Sequence, residues 1–512
     1  MFRLPIVKFF NRIFNRVTIT VVLVALQVLW LLWAFWSFTA GRVWLNGALK
    51  ALSIMIVLYL VRKDENSAYK IGWIVLIGLL PLLGGALYLA FGNKAPAKYL
   101  RERMQKVEQA HQTELAQPEG QTDALDISSR NLSRYVAKFG PYPAWRDTAA
   151  HYFSCGEEMY PQLLADLDKA EKFIFLEYFI VEEGYMWGSV LEILKEKAAA
   201  GVEVRFMYDG MCSISLLPPD YPKKIRRFGI QCKMFSPIRP VLSTTQNNRD
   251  HRKICVIDGK TGFTGGINLG DEYINRKERF GYWKDTAVMI KGDAVQSLTM
   301  LFLQMWNVSE LKKEKFEPYL TTMAKELKPE TGFVLPYGDS PYDHENVGEE
   351  VYVHILNHAK KYVHIMTPYL ILDNGMLDTL TRAAKSGIEV CIIMPHIPDK
   401  WYAFAVAKTY YRELIEAGVN IYEFTPGFVH AKVFVSDDDT ATVGTVNLDY
   451  RSLYLHFECG IFVYDNPVVH KIEKDFQETL KKSCKVTASD IGNTGIFMRI
   501  CGRVLRLIAP LM

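Results

Sequence analysis

His251-Arg-Lys253-Ile-Cys-Val-Ile-Asp258 followed by Gly265-Gly266-Ile-Asn268 is one of two related stretches, the other being His430-Ala-Lys432-Val-Phe-Val-Ser-Asp437 followed by Gly444-Thr445-Val-Asn447. In both copies the lysine lies two residues after the histidine, the aspartate five after the lysine, and the asparagine seventeen after the histidine. Two copies of one polar pattern, each set in an apolar run, indicate a duplicated unit whose halves share one task.

The spacing within each copy predicts two neighbouring strands joined by a turn. Residues two apart on a strand project to the same face, so each histidine and its lysine point the same way. The Asp-containing segments that follow are typical of turns, and returning strands are predicted over Thr261–Leu269 and Thr440–Leu448. These strands bring Asn268 and Asn447 beside the two His/Lys pairs. The glycines that precede each asparagine carry no Cβ, so a ligand or the facing half can approach closely.

Such a site suits a phosphodiester better than a metal ion. A lysine ammonium has no lone pair and repels cations, so the pattern predicts no metal site. Two lysines and two amides can neutralise phosphate oxygens as charge grows in a five-coordinate transition state. One histidine can attack phosphorus while the other protonates the leaving alcohol. A lone His-x-Lys would be typical of an exposed strand edge, but the matched repeat favours a catalytic site.

These residues resemble the paired HKD motifs of the phospholipase D superfamily. The resemblance extends to flanking segments, which are Trp283-Lys-Asp285-Thr after the first motif, and Asn447-Leu-Asp449-Tyr-Arg451-Ser452 with Phe457-Glu458 after the second. Together with the N-terminal segments described below, the chain is similar to bacterial cardiolipin synthases of the phospholipase D type. One departure is Thr445, which stands where the first copy has Gly266.

The resemblance implies a double displacement that needs no cofactor. His251 would attack the phosphorus of phosphatidylglycerol and form a phosphatidyl-histidine. His430 would protonate the departing glycerol and then activate the hydroxyl of a second phosphatidylglycerol. Lys253 and Lys432, with the two asparagines, would hold the phosphate oxygens. The nucleophile is placed in the first half because related enzymes place it there; the local sequence leaves the choice between the histidines open.

The resemblance also gives roles to four carboxylates. Asp285 and Glu458 are expected to accept a hydrogen bond from the far ring nitrogen of the histidines and so to fix the tautomer. Asp258 and Asp437 belong to the motif that the resemblance counts as catalytic. Each lies five residues after its lysine, so on a strand it would point to the opposite face, and each begins a predicted turn. Both features favour a structural role for the two aspartates.

Outside the motifs, strands and helices alternate twice in the same order. The predicted strand, helix and strand are Lys172–Val181, Trp187–Ala200 and Val202–Asp209, and in the second half Tyr362–Leu372, Met376–Lys385 and Ile388–Pro395. This order predicts an α/β fold in which two similar mixed-sheet halves, 136–330 and 331–485, carry helices on their outer faces. Duplication further predicts pseudo-twofold packing with the motifs at the interface.

Composition narrows the function classes. A chain of 512 residues with a net charge of +4 has room for about three domains and no large excess of charge. A phosphodiester nuclease or nucleic-acid-binding protein would need a continuous basic groove with stacking aromatics, so no nucleic-acid partner is predicted. The eight cysteines form no C-x-x-C pair, and residues such as Cys255 and Cys391 lie within apolar strands. They indicate buried thiols rather than disulfides or a zinc site.

Three apolar runs near the N-terminus predict a membrane-anchoring segment over 1–92. The runs are Val17–Phe38, Val43–Val61 and Ile71–Phe91. Their length and clustering favour two or three transmembrane helices in a multi-pass protein of the bacterial plasma membrane. A signal peptide is the alternative for the first run and a buried soluble helix for each of them. Basic residues on both sides of the runs leave open which membrane face holds the site.

Two further segments complete the domain assignment. Residues 93–135 are polar and are predicted to form a linker or a loosely held helix. Residues 486–512 form a basic tail, in which Phe497, Ile500, Cys501, Val504 and Ile508 share one helical face and Arg499, Arg503 and Arg506 another. This pattern predicts an anchor in the interface of an anionic membrane; the alternative is a helix docked on the body with solvated arginines.

The sequence thus favours a cardiolipin synthase that acts on phosphatidylglycerol among anionic membrane lipids. The nearest alternative is a membrane phospholipase D that transfers the phosphatidyl group to water or another alcohol, because the same motifs serve both. A non-catalytic membrane scaffold is disfavoured because both motifs are complete. Acyl-chain preference and oligomeric state are not encoded in any pattern that we identify.

Overall fold

The structure is a computed structural model that describes most of the chain. The described residues are 29–30, 33, 43–63, 67–80, 84–85, 87–89, 98–111, 113–115, 120–140, 142–146, 148–238, 247–310, 314–320, 331–343, 345–492 and 495–511. The first predicted apolar run, Val17–Phe38, lies almost wholly outside them. The second and third runs contain helices α1 (Val43–Arg62) and α2 (Ser67–Leu79). Within the described part, no helix combines the length and the apolar character needed to span a bilayer.

The first half contains a seven-stranded mixed sheet. Its strands are β1 (Thr148–Phe153), β2 (Phe173–Tyr178), β3 (Glu203–Asp209), β4 (Gln231–Phe235), β5 (Lys253–Ile257), β6 (Thr261–Gly265) and β8 (Ala287–Gly292). They lie in the order β1-β8-β6-β5-β2-β3-β4. Its helices are α5 (Gly156–Leu167), α6 (Tyr185–Ala199), α7 (Cys212–Ser215), α8 (Tyr221–Arg226) and α9 (Val295–Asn307).

The second half repeats this sheet with one strand added. Its strands are β9 (Phe333–Asp339), β10 (Tyr362–Met366), β11 (Glu389–Pro395), β12 (Asn420–Phe424), β14 (Val433–Ser436), β15 (Thr440–Gly444), β16 (Glu458–Tyr464) and β17 (Ser483–Lys485). Read from β9, the order β9-β16-β15-β14-β10-β11-β12 matches the first sheet strand for strand, and β17 extends it. Its helices are α10 (Val347–His358), α11 (Asn374–Lys385), α12 (Trp401–Glu416), α13 (Tyr450–Tyr454), α14 (Val468–Leu480), α15 (Ala488–Gly492) and α16 (Ile496–Ile508).

Pairing within each sheet follows from the strand–helix–strand order. Strands β2, β3 and β4 are parallel, as are β10, β11 and β12, whereas the motif strands β5 and β14 pair antiparallel to β2 and β10. All six residues of β2 are buried, as expected for a strand covered on both faces. The predicted α/β fold with two duplicated mixed-sheet halves is therefore confirmed.

The halves are joined through a shared core and a cross-half strand pair. Every residue of α9 is buried, and its apolar side chains belong to one hydrophobic cluster that contains residues of both sheets, for example Phe175 and Ile461. A short sheet pairs β7 (Tyr282–Lys284) of the first half with β13 (Gly427–Val429) of the second, in parallel. The corresponding contact on the other side is the parallel bridge between Asp250 and Phe457.

Element boundaries differ from the predictions mainly where strands enter the interface. The returning strands end at Gly265 and Gly444, four residues before the predicted ends. Gly265 has a φ of +146°, and a Cβ on it would lie 2.5 Å from the carbonyl oxygen of Thr286. A Cβ on Gly444 would lie 2.5 Å from the carbonyl oxygen of Cys459. The chain therefore leaves each sheet at a glycine because the next strand lies too close for a side chain.

The segment predicted as a linker contains ordered helices. Helices α3 (Lys98–His111) and α4 (Ile127–Phe139) occupy much of it, with Asp126 capping α4 through a 2.6 Å hydrogen bond from the Ser129 amide. Met104, Leu132 and Val136 are buried in the main core cluster. The described part of this segment is therefore packed on the two-sheet body rather than loosely held.

Candidate active site

Each motif places a buried histidine and a buried lysine next to the other half. His251 precedes β5 and Lys253 begins it, while His430 and Lys432 lie between β13 and β14. The exposed fractions of His251 and His430 are 6% and 8%, and those of Lys253 and Lys432 are 2% and 1%. Four basic side chains are thus withdrawn from water in one region, so any positive charge on them must be balanced by neighbouring carboxylates or reduced by loss of a proton.

The histidines are oriented by carboxylates from the opposite halves. His251 Nδ1 donates to Glu458 Oε2 at 2.9 Å, and His430 Nδ1 donates to Asp285 Oδ2 at 2.6 Å. The backbone repeats this exchange, because the His251 amide donates to the Phe457 carbonyl at 2.9 Å and the His430 amide to the Lys284 carbonyl at 2.7 Å. The sequence predicted Asp285 and Glu458 as hydrogen-bond partners; the structure places each of them with the histidine of the other half.

Burial favours the neutral form of both histidines, against the effect of the carboxylate contacts. Burial lowers the pKa of His430 to about 4, with a further lowering from Lys432, and holds the pKa of His251 well below its usual value. Burial alone would raise the pKa of Glu458 and Asp285, but the facing histidines outweigh it and hold both pKa values below normal. A neutral imidazole that donates through Nδ1 to a carboxylate presents its Nε2 lone pair as a nucleophile or a base.

The two lysines form a cationic pair at the same place. Lys253 Nζ donates to the His251 carbonyl at 2.5 Å, and Lys432 Nζ donates to the His430 carbonyl. Burial lowers the pKa of Lys253 to about 8 and that of Lys432 to about 7, the latter also through repulsion from Lys253. The lysines are therefore close enough to repel each other, and an anion between them would relieve that repulsion.

The two asparagines are not equivalent in this structure. Asn268 accepts from the Ile180 amide at 2.9 Å and donates to the Tyr273 hydroxyl at 2.8 Å. Asn447 Oδ1 is buried without a hydrogen-bond partner among the described residues. The amide of Asn268 is thus held by its own half, whereas Asn447 retains unused hydrogen-bonding capacity. A phosphate-binding role for both asparagines stays a prediction.

The motif aspartates lie at the far end of their strands from the histidines. Asp258 accepts from the amides of Glu171, Lys172 and Phe173 at 2.7–2.9 Å. Asp437 makes the same three contacts with residues 360–362 at 2.6–3.1 Å. Both have positive φ, near 55°, as the predicted turns require. They anchor the starts of β2 and β10, so their place among the catalytic residues of the motif is not supported by the geometry.

The carboxylate of the second half is held by hydroxyl groups that the sequence did not assign to the site. Thr445 Oγ1 donates to Glu458 Oε2, and Ser452 Oγ donates to Glu458 Oε1 at 2.5 Å. In the first half a Cβ on Gly266 would lie 2.0 Å from Asp285 Oδ1, so no side chain fits there. Where the first copy has Gly266 and Asp285, the second has Thr445 and Glu458. The two differences therefore occur together, and a comparison of the two copies in the sequence shows both.

A third histidine, His456, was also missed. It is 8% exposed, its ring centroid lies 5.4 Å from that of His251, and its Nδ1 lies 3.6 Å from Glu458 Oε1. Neither ring nitrogen has a hydrogen-bond partner among the described residues. The signal was its position two residues before the orienting carboxylate, where the first half has Trp283.

Three groups here could in principle serve as metal ligands. One ligand atom from each of His251, His456 and Glu458 lies within 4.8 Å of the others. The buried Lys253 ammonium is close enough to Glu458 for their attraction to act on its pKa, and a cation would compete with it. The prediction of a metal-independent site therefore keeps its physical basis and stays a prediction.

Comparisons with known proteins agree with this arrangement. The family described as "Cardiolipin synthase, PLD-like domain" matches residues 163–306 and 352–480, and a family described as "Phospholipase_D-nuclease N-terminal" matches residues 51–93. The chain is 50% identical over 459 residues to an uncharacterized protein of Streptococcus mutans, covering 89% of this chain and 99% of that protein. It is 34% identical to the cardiolipin synthase of Geobacillus kaustophilus, covering 90% and 92%.

One solved structure shows the same fold. The crystal structure of a phosphatidylserine synthase from Haemophilus influenzae superposes with a TM-score of 0.56 at 14% identity, covering 74% of this chain and 98% of that one. At this identity the likeness concerns the fold alone.

We expect the affinity of the site for sulfate, an anion of fixed charge, to depend on the lysines. The pKa values of Lys432 and Lys253 are lowered to about 7 and about 8, so both ammonium groups lose their protons as pH rises through this window. Sulfate affinity should fall by roughly tenfold or more between about pH 6 and about pH 9. Calorimetric titration measures this, and Lys432→Gln should remove the lower part of the transition. A constant affinity in the unsubstituted chain would contradict the assignment.

Proposed function

The chain belongs to the cardiolipin synthase family with phospholipase D-like domains, and we propose that it transfers a phosphatidyl group between two phosphatidylglycerol molecules. Membership makes it an enzyme, a phospholipid phosphatidyltransferase. The observation that supports the finer proposal is the pair of buried neutral histidines, each oriented by a carboxylate of the other half, beside two buried lysines. Cardiolipin and free glycerol would be the products.

In the first step His251 is the nucleophile. Its Nε2 forms a bond to phosphorus while the bond from phosphorus to the glycerol oxygen breaks, and His430 gives its Nε2 proton to that oxygen. Burial and Lys432 lower the pKa of His430 to about 4 and so favour its neutral form. The negative charge of the phosphodiester offsets the positive charge of the lysines, which disfavours a protonated His430. Substrate binding therefore raises the pKa of His430, so that it enters the step protonated.

The second step reverses the roles around the same phosphorus. Now neutral, His430 takes the proton from a hydroxyl of the second phosphatidylglycerol, whose oxygen attacks as the bond from phosphorus to nitrogen breaks. Lys253 and Lys432 neutralise the non-bridging oxygens in both transition states. Glu458 stabilises the positive imidazole ring of the phosphatidyl-histidine through the 2.9 Å hydrogen bond from Nδ1. Asn447 is better placed than Asn268 to contribute its amide, since Asn268 is engaged within its own half.

Its substrates place the enzyme at a membrane. We propose that it resides in the bacterial plasma membrane, anchored by the N-terminal apolar segments, and takes phosphatidylglycerol from the bilayer. The match of residues 51–93 to an N-terminal family segment supports an anchoring role for that part of the chain.

Product analysis tests the acceptor. Purified enzyme incubated with phosphatidylglycerol alone should yield cardiolipin and glycerol in equal amounts, because the second lipid supplies the attacking hydroxyl. Lipid chromatography with mass spectrometry measures both. Phosphatidic acid as the main product would instead identify water as the acceptor and a phospholipase D activity.

Single substitutions test the histidine roles. His251→Ala and His430→Ala should each lower turnover by about 10³-fold or more, because each removes a group that reacts directly. Only His430→Ala should retain labelled lipid phosphate on the protein after quenching in denaturant at alkaline pH, because the bond from phosphorus to nitrogen is hydrolysed in acid. Asp437→Ala is the matched motif control: it should keep turnover while losing up to about 3 kcal/mol of stability, since three backbone hydrogen bonds depend on it. Label retained by His251→Ala would reverse the assignment of nucleophile and acid.

A further inference from the structure

We propose that the chain binds an anionic phospholipid at a second site, between α12 and α16, apart from the catalytic centre. The proposal rests on the proposed function only in taking a lipid bilayer as the enzyme's setting. It is carried by three features of the C-terminal region: the exposed apolar face of α16, the way its opposite face is docked, and a cationic cavity behind it.

Helix α16 turns its apolar face outward. The side chains on that face are between 56% and 73% exposed: Ile496, Phe497, Ile500, Val504 and Leu507. A helix that packs on a soluble body normally buries such residues. A contiguous apolar surface of this kind marks contact with a membrane or a partner. The sequence had left open an anchor or a docked helix, and the described residues show a docked helix whose apolar face is free.

The opposite face fixes the helix to α12. A Cβ on Gly502 would lie 2.4 Å from the Ala405 carbonyl oxygen, so the two helices approach as closely as backbones allow. The Arg506 guanidinium lies 3.9 Å from the centre of the Tyr410 ring. It also donates to the Thr409 carbonyl at 3.4 Å. These contacts hold the apolar face away from the protein.

A cavity of about 680 Å³ lies between these helices. Five cationic side chains and one carboxylate line it, namely Lys408, Arg412, Arg499, Arg503, Arg506 and Glu416. Lys408 is paired with Glu423 at 2.5 Å and Arg412 with Glu416 at 3.0 Å. Arg499 and Arg503 have no carboxylate partner among the described residues, so two guanidinium groups are available to an anion. Guanidinium groups bind phosphate oxygens in paired hydrogen bonds.

The remaining lining indicates a lipid rather than a soluble phosphate. Leu372, Ile415 and Met498 give the cavity apolar walls, and Leu507 belongs both to the cavity and to the exposed face of α16. Ile71 of α2, in the apolar N-terminal segment, lines it as well. A phospholipid with a negative headgroup matches a cationic cavity that continues into an apolar surface.

Native mass spectrometry of the full chain tests this site without turnover. The His251→Ala chain, in neutral detergent with phosphatidylcholine and a minor fraction of phosphatidic acid, should retain bound phosphatidic acid. Adding Arg499→Gln and Arg503→Gln should weaken that retention by about tenfold or more, since each arginine near an anionic headgroup contributes substantially. Lys481→Gln with Lys482→Gln, which removes the same charge from another exposed segment, should have no such effect.

Three results would overturn the proposal: equal retention in the Arg499/Arg503 variant, equal loss in the lysine control, or full displacement by soluble glycerol 3-phosphate. The last result would assign the site to free phosphates. Because binding is measured in a chain without its nucleophile, the outcome does not depend on whether phosphatidylglycerol is the substrate.

A separate observation concerns His456, and we infer that it is a positioning residue for His251 that acts through Glu458. His456 and Trp283 occupy equivalent places, two residues before the orienting carboxylate, with rings 5.4 Å and 5.3 Å from the respective histidines. Trp283 lies among the aromatic rings of Tyr273 and Phe428. His456 instead brings a hydrogen-bonding ring within 3.6 Å of Glu458 Oε1. The two halves thus differ at this position: a histidine lies beside the carboxylate partner of His251, and a tryptophan occupies the equivalent place in the other half.

At 3.6 Å the His456 ring is too far from Glu458 for a hydrogen bond, but a ring N–H directed at that carboxylate would make Glu458 a weaker base through its dipole. Glu458 would then stabilise the phosphatidyl-histidine less, and His251 would leave phosphorus more readily in the second step. This argument depends on the proposed intermediate but not on the acceptor, because water and phosphatidylglycerol attack the same species.

Quenched trapping of labelled lipid phosphate tests this role. His456→Phe should lower kcat several-fold while raising the trapped fraction of enzyme, because breakdown of the intermediate slows. His456→Asn, which keeps a donor, should restore both values towards the unsubstituted chain. Trp283→Phe, the matched change in the other half, should not raise the trapped fraction. An unchanged kcat in His456→Phe, or a kcat that falls without accumulation of intermediate in both His456 variants, would overturn the inference.

Discussion

The exchange of hydrogen bonds between the halves is the constraint on which the rest of the structure depends. Each reactive imidazole is oriented by a carboxylate that the other half supplies, His251 by Glu458 and His430 by Asp285. The neighbouring backbone is exchanged in the same way. Neither half therefore contains a complete site, although each contains a complete motif. The arrangement needs residues of both halves, and the shared core around α9 holds the two halves together.

Burial then sets the charge state of the centre. Four ionisable side chains of the motifs are at most 8% exposed, and withdrawal from water lowers the pKa of both histidines and both lysines. Neutral imidazoles therefore lie beside lysines whose protonation would respond to a bound anion. Under the proposed function a phosphodiester supplies that anion and offsets the positive charge of the lysines.

The two halves have diverged where their chemistry need not be equal. Gly266 leaves room for Asp285, whereas Thr445 and Ser452 hold the longer Glu458. The halves also differ two residues before each carboxylate, where the first has Trp283 and the second has His456. These differences affect the residues around the two carboxylates and leave the His/Lys pairs unchanged. They give the two histidines different surroundings while the atoms that would react remain alike.

The C-terminal helix adds a separate physical requirement. Its guanidinium groups and its apolar side chains are divided between the inner and outer faces. Docking through Gly502 fixes that division with respect to the catalytic body. A surface so arranged is stable in water only at a cost, which contact with lipid would remove.

The sequence by itself determined the repeat, the strand–turn–strand form of each motif, the α/β alternation and the chemical class of the site. These depend on short-range spacing, which fixes which residues share a face of a strand. The strand parity of Asp258 and Asp437 favoured a structural role, and the structure shows both side chains accepting from backbone amides at a turn. What only the tertiary structure decided is which half supplies each partner, because Glu458 lies 207 residues from His251 and Asp285 lies 145 from His430. Spacing along the chain carries no information about such contacts. The same reason explains why the packing of α3 and α4 on the core could not be predicted: burial is a property of the assembled fold.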